Sequence, residues 1–254
     1  EGFSELEIPK GSEVVLNLQS VVFKVADYPA SLNEEQIKGV IEEELLNIPL
    51  FQDNDPAISN IKLPNSTIQF NKVAYTAAQK VMLIEIILQI KELGYKLIGI
   101  DTSVNSTLNA LIYNDRVDVS VDNNWLMLIV ENSCCRIIPM QGNNYIDCFE
   151  EKISIGEVLG DAENYATVLN AVSPILKNLP AQRLYVVSKT DVISAQILAD
   201  KLTYNAQIIH EEANIFNKTP FLDIAADIDE KIACTISLDV IGAAINREFM
   251  QYST

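Results

Sequence analysis

A single histidine, His210, is all that the 254 residues contain. That excludes a histidine-based catalytic triad and any metal site built on several imidazoles. The nine glycines are scattered, and none falls into a P-loop or a GxGxxG pattern. The four cysteines, Cys134, Cys135, Cys148 and Cys234, form no CxxC or Cys/His spacing. Adjacent Cys134 and Cys135 would point to opposite faces of a strand. They read as reduced, buried thiols of a cytosolic protein. Basic residues are scarce: 18 Lys and Arg stand against 35 Asp and Glu, for a formal net charge of −17. So acidic a surface repels nucleic-acid phosphates and anionic lipid headgroups. The expectation is no nucleic-acid partner and no direct membrane insertion, with any membrane association running through another protein. Long apolar runs are missing too. The greasiest stretch, 81–90, is broken by Glu85 and Gln89 and is too short to span a bilayer. No signal peptide opens the chain. Glu1 is not an initiator residue, so a preceding segment is expected. There are no low-complexity tracts or internal repeats.

What remains is ordinary globular material, 48% hydrophobic and 21% charged, with enough chain for a large core. The β-branched runs 14–18 and 21–25 flank Gln19-Ser20 and read as two strands or one bent strand. Ser31 with Glu34 has capping-box spacing before a helix over 33–47, which Pro49 stops. Strands follow at 58–63 and 67–76, then a helix over 78–93 closed by Gly94, and a strand at 96–100. A short helix occupies 103–111. Three strand candidates, 125–130, 134–140 and 145–150, are separated by turn residues and predict an antiparallel meander. Helices are predicted at 161–176, with a kink at Pro174, at 192–202 and at 234–244, with strands at 184–187 and 207–209.

Candidate sites are few. Asp147, Glu150, Glu151, Asp161 and Glu163 cluster in sequence and read as a solvated rim near a helix start. Glu34, Glu35, Glu42, Glu43 and Glu44 form the wet face of an amphipathic helix, or a dock for a basic segment. Thr190 or Asp191 reads as a helix cap. The strand that Trp125 opens reads as core, or alternatively as a sheet edge open to peptide addition.

The order "VVLNLQSVVFKVADYP", "LNEEQIKGVIEEELLNIPLF", "VAYTAAQKVMLIEIILQIKELGYKLIGIDTS" resembles the PilM and FtsA family of actin-like proteins. The matching landmarks are Tyr28-Pro29, the acidic residues 42–44, Ile48-Pro49, Ala77-Ala78 and Leu93-Gly94. Residues 125–156 are similar to the opening meander of the second actin-like lobe, with Gly142 in a hairpin turn and residues 153–156 entering a helix. The resemblance implies a two-lobed, ribonuclease H-like α/β fold. Residues 1–20 would be a remnant of a truncated first lobe, 21–100 an inserted small α+β subdomain, 101–124 the return to the first lobe and 125–254 the second lobe.

The resemblance also implies departures. Leu128 and Val130 stand where nucleotide-binding members carry Asp and Gly, Cys134 stands near the Thr, and Ser188-Lys189 replaces a Gly-Gly. The family's first phosphate loop is not in the chain. No cofactor and no catalytic or metal residue is therefore expected. The implied function is a non-catalytic scaffold of a type IV pilus machine. It would lie peripherally at the inner membrane and hold the cytoplasmic tail of a PilN-like protein. The implied groove has walls near residues 21–25, 33–47 and 67–76, with Val22, Phe23, Val25, Ile37, Ile41 and Val73 as contacts. The sequence leaves self-association open. The alternatives are an actin-like pilus ATPase with drifted motifs and a GspL-like domain of type II secretion.

Overall fold

The computed structural model describes residues 9–19, 21–113, 120, 123–179, 183–202, 209–212 and 243, with the backbone alone at 113 and 209–212. The chain divides into two units, Glu1–Asn105 and Ser106–Thr254. The helix expected over 234–244 lies outside the described residues, apart from the helical, buried Ala243.

Along the first unit run β1 (Glu13–Leu18), β2 (Val22–Pro29), α1 (Glu34–Leu45), β3 (Pro56–Lys62), β4 (Phe70–Gln79), α2 (Lys80–Glu92) and β5 (Lys96–Thr102). The two β-branched runs around residue 19 are separate strands in separate sheets. β1 pairs in parallel with β5, while β2 joins an antiparallel sheet of order β2-β4-β3. Side chains alternate across a strand, so Val22, Ala26 and Tyr28 of β2 share one face with Val73, Tyr75 and Ala77 of β4. α1 covers that face with Ile37, Ile41 and Leu45, spaced one helical turn apart. The Tyr28 and Tyr75 hydroxyls both donate to Glu44 Oε2, at 3.4 and 3.3 Å. Burial raises both phenols well above the ordinary tyrosine range, with the Glu44 carboxylate adding to it at Tyr28 and Tyr28 and Glu44 at Tyr75.

Two boundaries differ from the sequence expectation for local reasons. The capping box of α1 is Asn33 with Gln36, not Ser31 with Glu34. Asn33 Oδ1 accepts from Gln36 N at 2.9 Å, and Gln36 Oε1 accepts from Asn33 N at 3.0 Å. Both pairs have the right spacing and comparable cap residues, and the pair nearer the apolar stripe forms the box. β4 also runs on through Ala77 and Ala78, the second of which read as the start of a helix. They pair with Ile58 and Ala57 of β3, a partner no local propensity reveals. Gly94 closes α2 with φ +81°, as its position predicts.

α3 (Ser103–Tyr113) leads into β6 (Asn124–Val130), β7 (Cys134–Gln141), β8 (Asn144–Tyr145), β9 (Phe149–Lys152), α4 (Ala162–Leu176), β10 (Arg183–Ser188), α5 (Ala195–Lys201) and β11 (Ile209–Glu212). The sheet has order β11-β10-β6-β7-β8, with β9 also on β7. β10 is parallel to β6 and β11, and β6 to β9 form the expected meander. Its third strand is broken in two, and Asp147 Oδ1 accepts from Cys148 N at 2.7 Å in the gap. Leu126, Leu128 and Val130 pack with Val168, Val172 and Leu176 of α4. Trp125 is fully buried, with its indole N–H on the Gly142 carbonyl at 2.8 Å. β6 lies between β10 and β7, so the alternative of a free edge there falls. Asp161 caps α4, accepting from Glu163 N at 3.0 Å. The cap of α5 is Ser194 rather than Thr190 or Asp191, because the helix starts three residues later than its apolar pattern. Cys134, Cys135 and Cys148 are free thiols, and burial pushes each up to about 12.

Ile41→Ala, at a fully buried position under the first sheet, should cost about 2–5 kcal/mol in urea unfolding. Asn33→Ala should cost about 1 kcal/mol. In a Cys234→Ser background, the three raised thiols should stay silent to a disulfide reagent at neutral pH and react on unfolding. Their contribution to stability is complete below the unfolded thiol pKa near 9 and is lost as pH rises toward about 12. Fast labelling of the native chain at neutral pH would contradict this packing.

Candidate functional site

The first unit carries an open cleft of about 660 Å³ at the end of the small sheet where α1 begins and β3 ends. Leu32, Ile37 and Val73 supply apolar lining beside the Asn71 amide. The first turns of α1 form one wall, with Glu34, Glu35 and Lys38, and the end of β3 forms the other, with Asn60, Ile61 and Lys62. β3 is one of the two edge strands of its sheet, β2 being the other. Leu63 N donates to Lys72 O and Lys80 N to Asp55 O, which makes the odd positions of β3 the ones bonded to β4. The backbone N–H and C=O groups of Asn60 and Lys62 therefore face away from the sheet. The cleft thus combines unpaired strand hydrogen-bonding groups with an apolar lining, and Ile61 on that strand is 63% exposed.

Of the six residues expected at a partner groove, four gather in one core and two stand on the other face of the sheet. Ile37, Ile41 and Val73 are buried between α1 and the sheet, and Val22 packs against that core. Phe23 and Val25 stand on the opposite face, paired with Thr76 and Ala74. Ile37 and Val73 alone also line the cleft. Two of the three expected walls are represented in it, the helix and β4, while the third is β3 rather than β2. The signal for β3 lay in its position at a sheet edge, which no sequence pattern displays.

The second unit carries a charged cluster where β6 and β10 end side by side. Lys189 N donates to Val130 O at 2.8 Å, and Glu131 N donates to Cys134 O at 2.9 Å across the β6–β7 turn. Glu131 Oε2 accepts from Arg136 Nη1 at 2.7 Å and from the Cys134 thiol at 3.3 Å. Glu131 Oε1 lies 3.9 Å from Lys189 Nζ, and Arg136 Nε donates to Glu150 Oε2 at 2.8 Å. The Arg136 and Lys189 side chains are each 8% exposed. Burial works against the Arg136 charge, but the Glu131 and Glu150 carboxylates hold its pKa above the ordinary arginine value.

Leu128 and Val130, expected at the phosphate seat, instead pack into the core with α4. The groups at the strand ends are a carboxylate and two cations already paired with acids. A nucleotide phosphate brought there would meet Glu131, so these residues do not fit the nucleotide that the fold family implies. The acidic residues 147–163 do not gather either: Glu150 serves Arg136, Asp147 a turn and Asp161 a helix cap. Among the described residues, no group of three or more His, Cys, Asp or Glu could hold a metal. His210 lies in β11, outside the described side chains.

Comparison with known proteins places the fold. No protein-family profile and no curated protein matches the sequence. Among solved structures, the chain is similar to the PilM-PilN type IV pilus biogenesis complex at 13% identity and TM-score 0.65, covering 92% of this chain and 79% of that one. A Bacteroides thetaiotaomicron protein with an actin-like ATPase fold and unknown function matches at 11% identity and TM-score 0.47, covering 82% of this chain and 73% of that one. The cytoplasmic domain of EpsL, an inner-membrane component of the Vibrio cholerae type II secretion system, matches at 9% identity and TM-score 0.40, covering 72% of this chain and 63% of that one. The chain has an actin-like α/β fold.

Proposed function

We propose that this chain is a non-catalytic adaptor of a type IV pilus machine, PilM-like in role. It holds the cytoplasmic tail of an inner-membrane assembly protein of the PilN kind. What supports this role is the extent of the match to a PilM-PilN complex, 92% of the chain. The β3 cleft gives the tail a place. An extended tail segment laid along β3 gains backbone hydrogen bonds from Asn60 and Lys62, and every second side chain can turn toward Leu32, Ile37 and Val73. The net charge of −17 favours a tail carrying basic residues and opposes an anionic one, while at the cleft itself Glu34 and Glu35 are balanced by Lys38 and Lys62.

No helix among the described residues is long and apolar enough to cross a membrane. The chain would then be cytoplasmic and reach the inner membrane only through this partner. The Glu131 carboxylate at the strand ends disfavours a nucleotide phosphate there, which supports an adaptor that works as a fixed clamp rather than a nucleotide-driven one.

A synthetic PilN-type N-terminal tail peptide, titrated calorimetrically into the chain, should bind equally well with and without MgATP. Asn60→Pro removes one outward N–H at an edge position that tolerates proline, so the protein should fold and bind the peptide roughly tenfold or more weakly. A folded Asn60→Pro variant with full affinity would remove the peptide from this cleft. No binding to the unaltered chain would end the adaptor role.

A further inference from the structure

We propose that two copies of this chain pair through the outer face of α2, with the two helices lying parallel about a two-fold axis. The inference stands apart from the tail-binding role, because no residue of α2 lines the β3 cleft.

α2 is apolar on both sides. On its inner side Leu83 packs against Leu18, Val21 and Ala78, and Ile90 is buried. Its outer side carries Val81, Ile84 and Leu88, which are 54, 47 and 51% exposed. Their spacing, i, i+3 and i+7, puts them on one stripe of the helix. Single exposed apolar side chains are ordinary on a protein surface. A helix that is apolar all round, by contrast, is one that a neighbour covers.

The charges beside the stripe select the neighbour. At 100° per residue, Glu85 and Glu92 run along one flank of it, and Lys80 and Lys91 along the other. All four are exposed, and no ion pair among the described residues uses them. A second copy complements such a face in one orientation. A two-fold axis parallel to the helices sets the acidic flank of each copy against the basic flank of the other. Antiparallel helices would instead set Glu85 against the partner's Glu85. The stripe also has heptad form: with Val81 and Leu88 at a and Ile84 at d, Lys80 falls at g and Glu85 at e. In a parallel pair, Lys80 then faces the partner's Glu85, and the symmetry makes the contact twice. Lys80 stands in the first turn of α2, where the helix dipole disfavours a cation. The partner's carboxylate offsets that cost. The contact is short: α2 has 13 residues, under two heptads. Such a pair buries less than a standard interface of about 1,600 Å², so its dissociation constant should be on the order of tens of micromolar.

The test is sedimentation equilibrium of the full chain. Salt at about 0.15 M screens the general repulsion between two chains of charge −17. The unaltered chain should pass from monomer to dimer over roughly 1–300 μM. Ile84→Asp should leave it monomeric. Lys80→Glu and Glu85→Lys each set like charges together across the pair, and each should weaken the dimer roughly fivefold or more. Mixed in equal amounts, these two variants should pair with each other. A chain carrying both substitutions should regain self-association. Within one helix the two positions are five apart, outside the i, i+3 and i, i+4 neighbours, so the regain arises across the pair. Lys80→Glu also suits the helix dipole, so a weaker dimer does not report a lost helix. If Ile84→Asp fails to fold by circular dichroism, the charge variants decide by the same criterion. A chain that stays monomeric throughout overturns the inference. So does a dimer indifferent to Ile84→Asp, or a doubly substituted chain that regains nothing. A failed tail titration would leave these results untouched, and the reverse holds as well.

Discussion

Burying the Arg136 guanidinium is the constraint on which the end of the second sheet depends. Its side chain is 8% exposed, on a strand whose other inward positions are apolar. A buried cation of this kind stands only with its acids in place, and breaking one such pair costs about 3–5 kcal/mol. Glu131 and Glu150 meet the requirement from either side, at 2.7 and 2.8 Å. Their positions follow from the meander: β9 brings Glu150 opposite Arg136, and the turn after β6 brings Glu131 back over it. Lys189 then extends the cluster to β10. One charge requirement thus ties together the turn, the meander and the parallel pair.

The same cluster alters what this fold can do. The ends of β6 and β10 meet a carboxylate that the chain itself supplies, held by Arg136 and Lys189. In the first unit, β3 lies at an edge of its three-stranded sheet, so its outer backbone groups are not paired within that sheet.

Much of the fold was legible in the sequence because its elements carry local signatures. Ile37, Ile41 and Leu45 recur at helical spacing, the meander strands are bounded by turn residues, and Gly94 marks a helix end. Order and spacing were enough to indicate an actin-like fold. The misreadings are of another kind. Ala78 is a strand residue because β3 pairs with it, and Asn33 outcompetes Ser31 by a two-residue shift between equivalent motifs. The candidate sites were less legible. Ile41 looks like a contact residue in a pattern, yet it is core and outside the cleft, because an amphipathic stripe cannot say which neighbour buries it. Arg136 was the visible anomaly, one charge within the run Cys134–Gln141, but its partners Glu131, Glu150 and Lys189 come together only through the strand pairing.

The most direct measurement of the central claim, that the strand ends are closed to nucleotide by the chain's own carboxylate, is a calorimetric titration of the unaltered protein with MgATP. Closure predicts no saturable heat through the millimolar range. A dissociation constant of about 100 μM or tighter, near −5.5 kcal/mol, would contradict it.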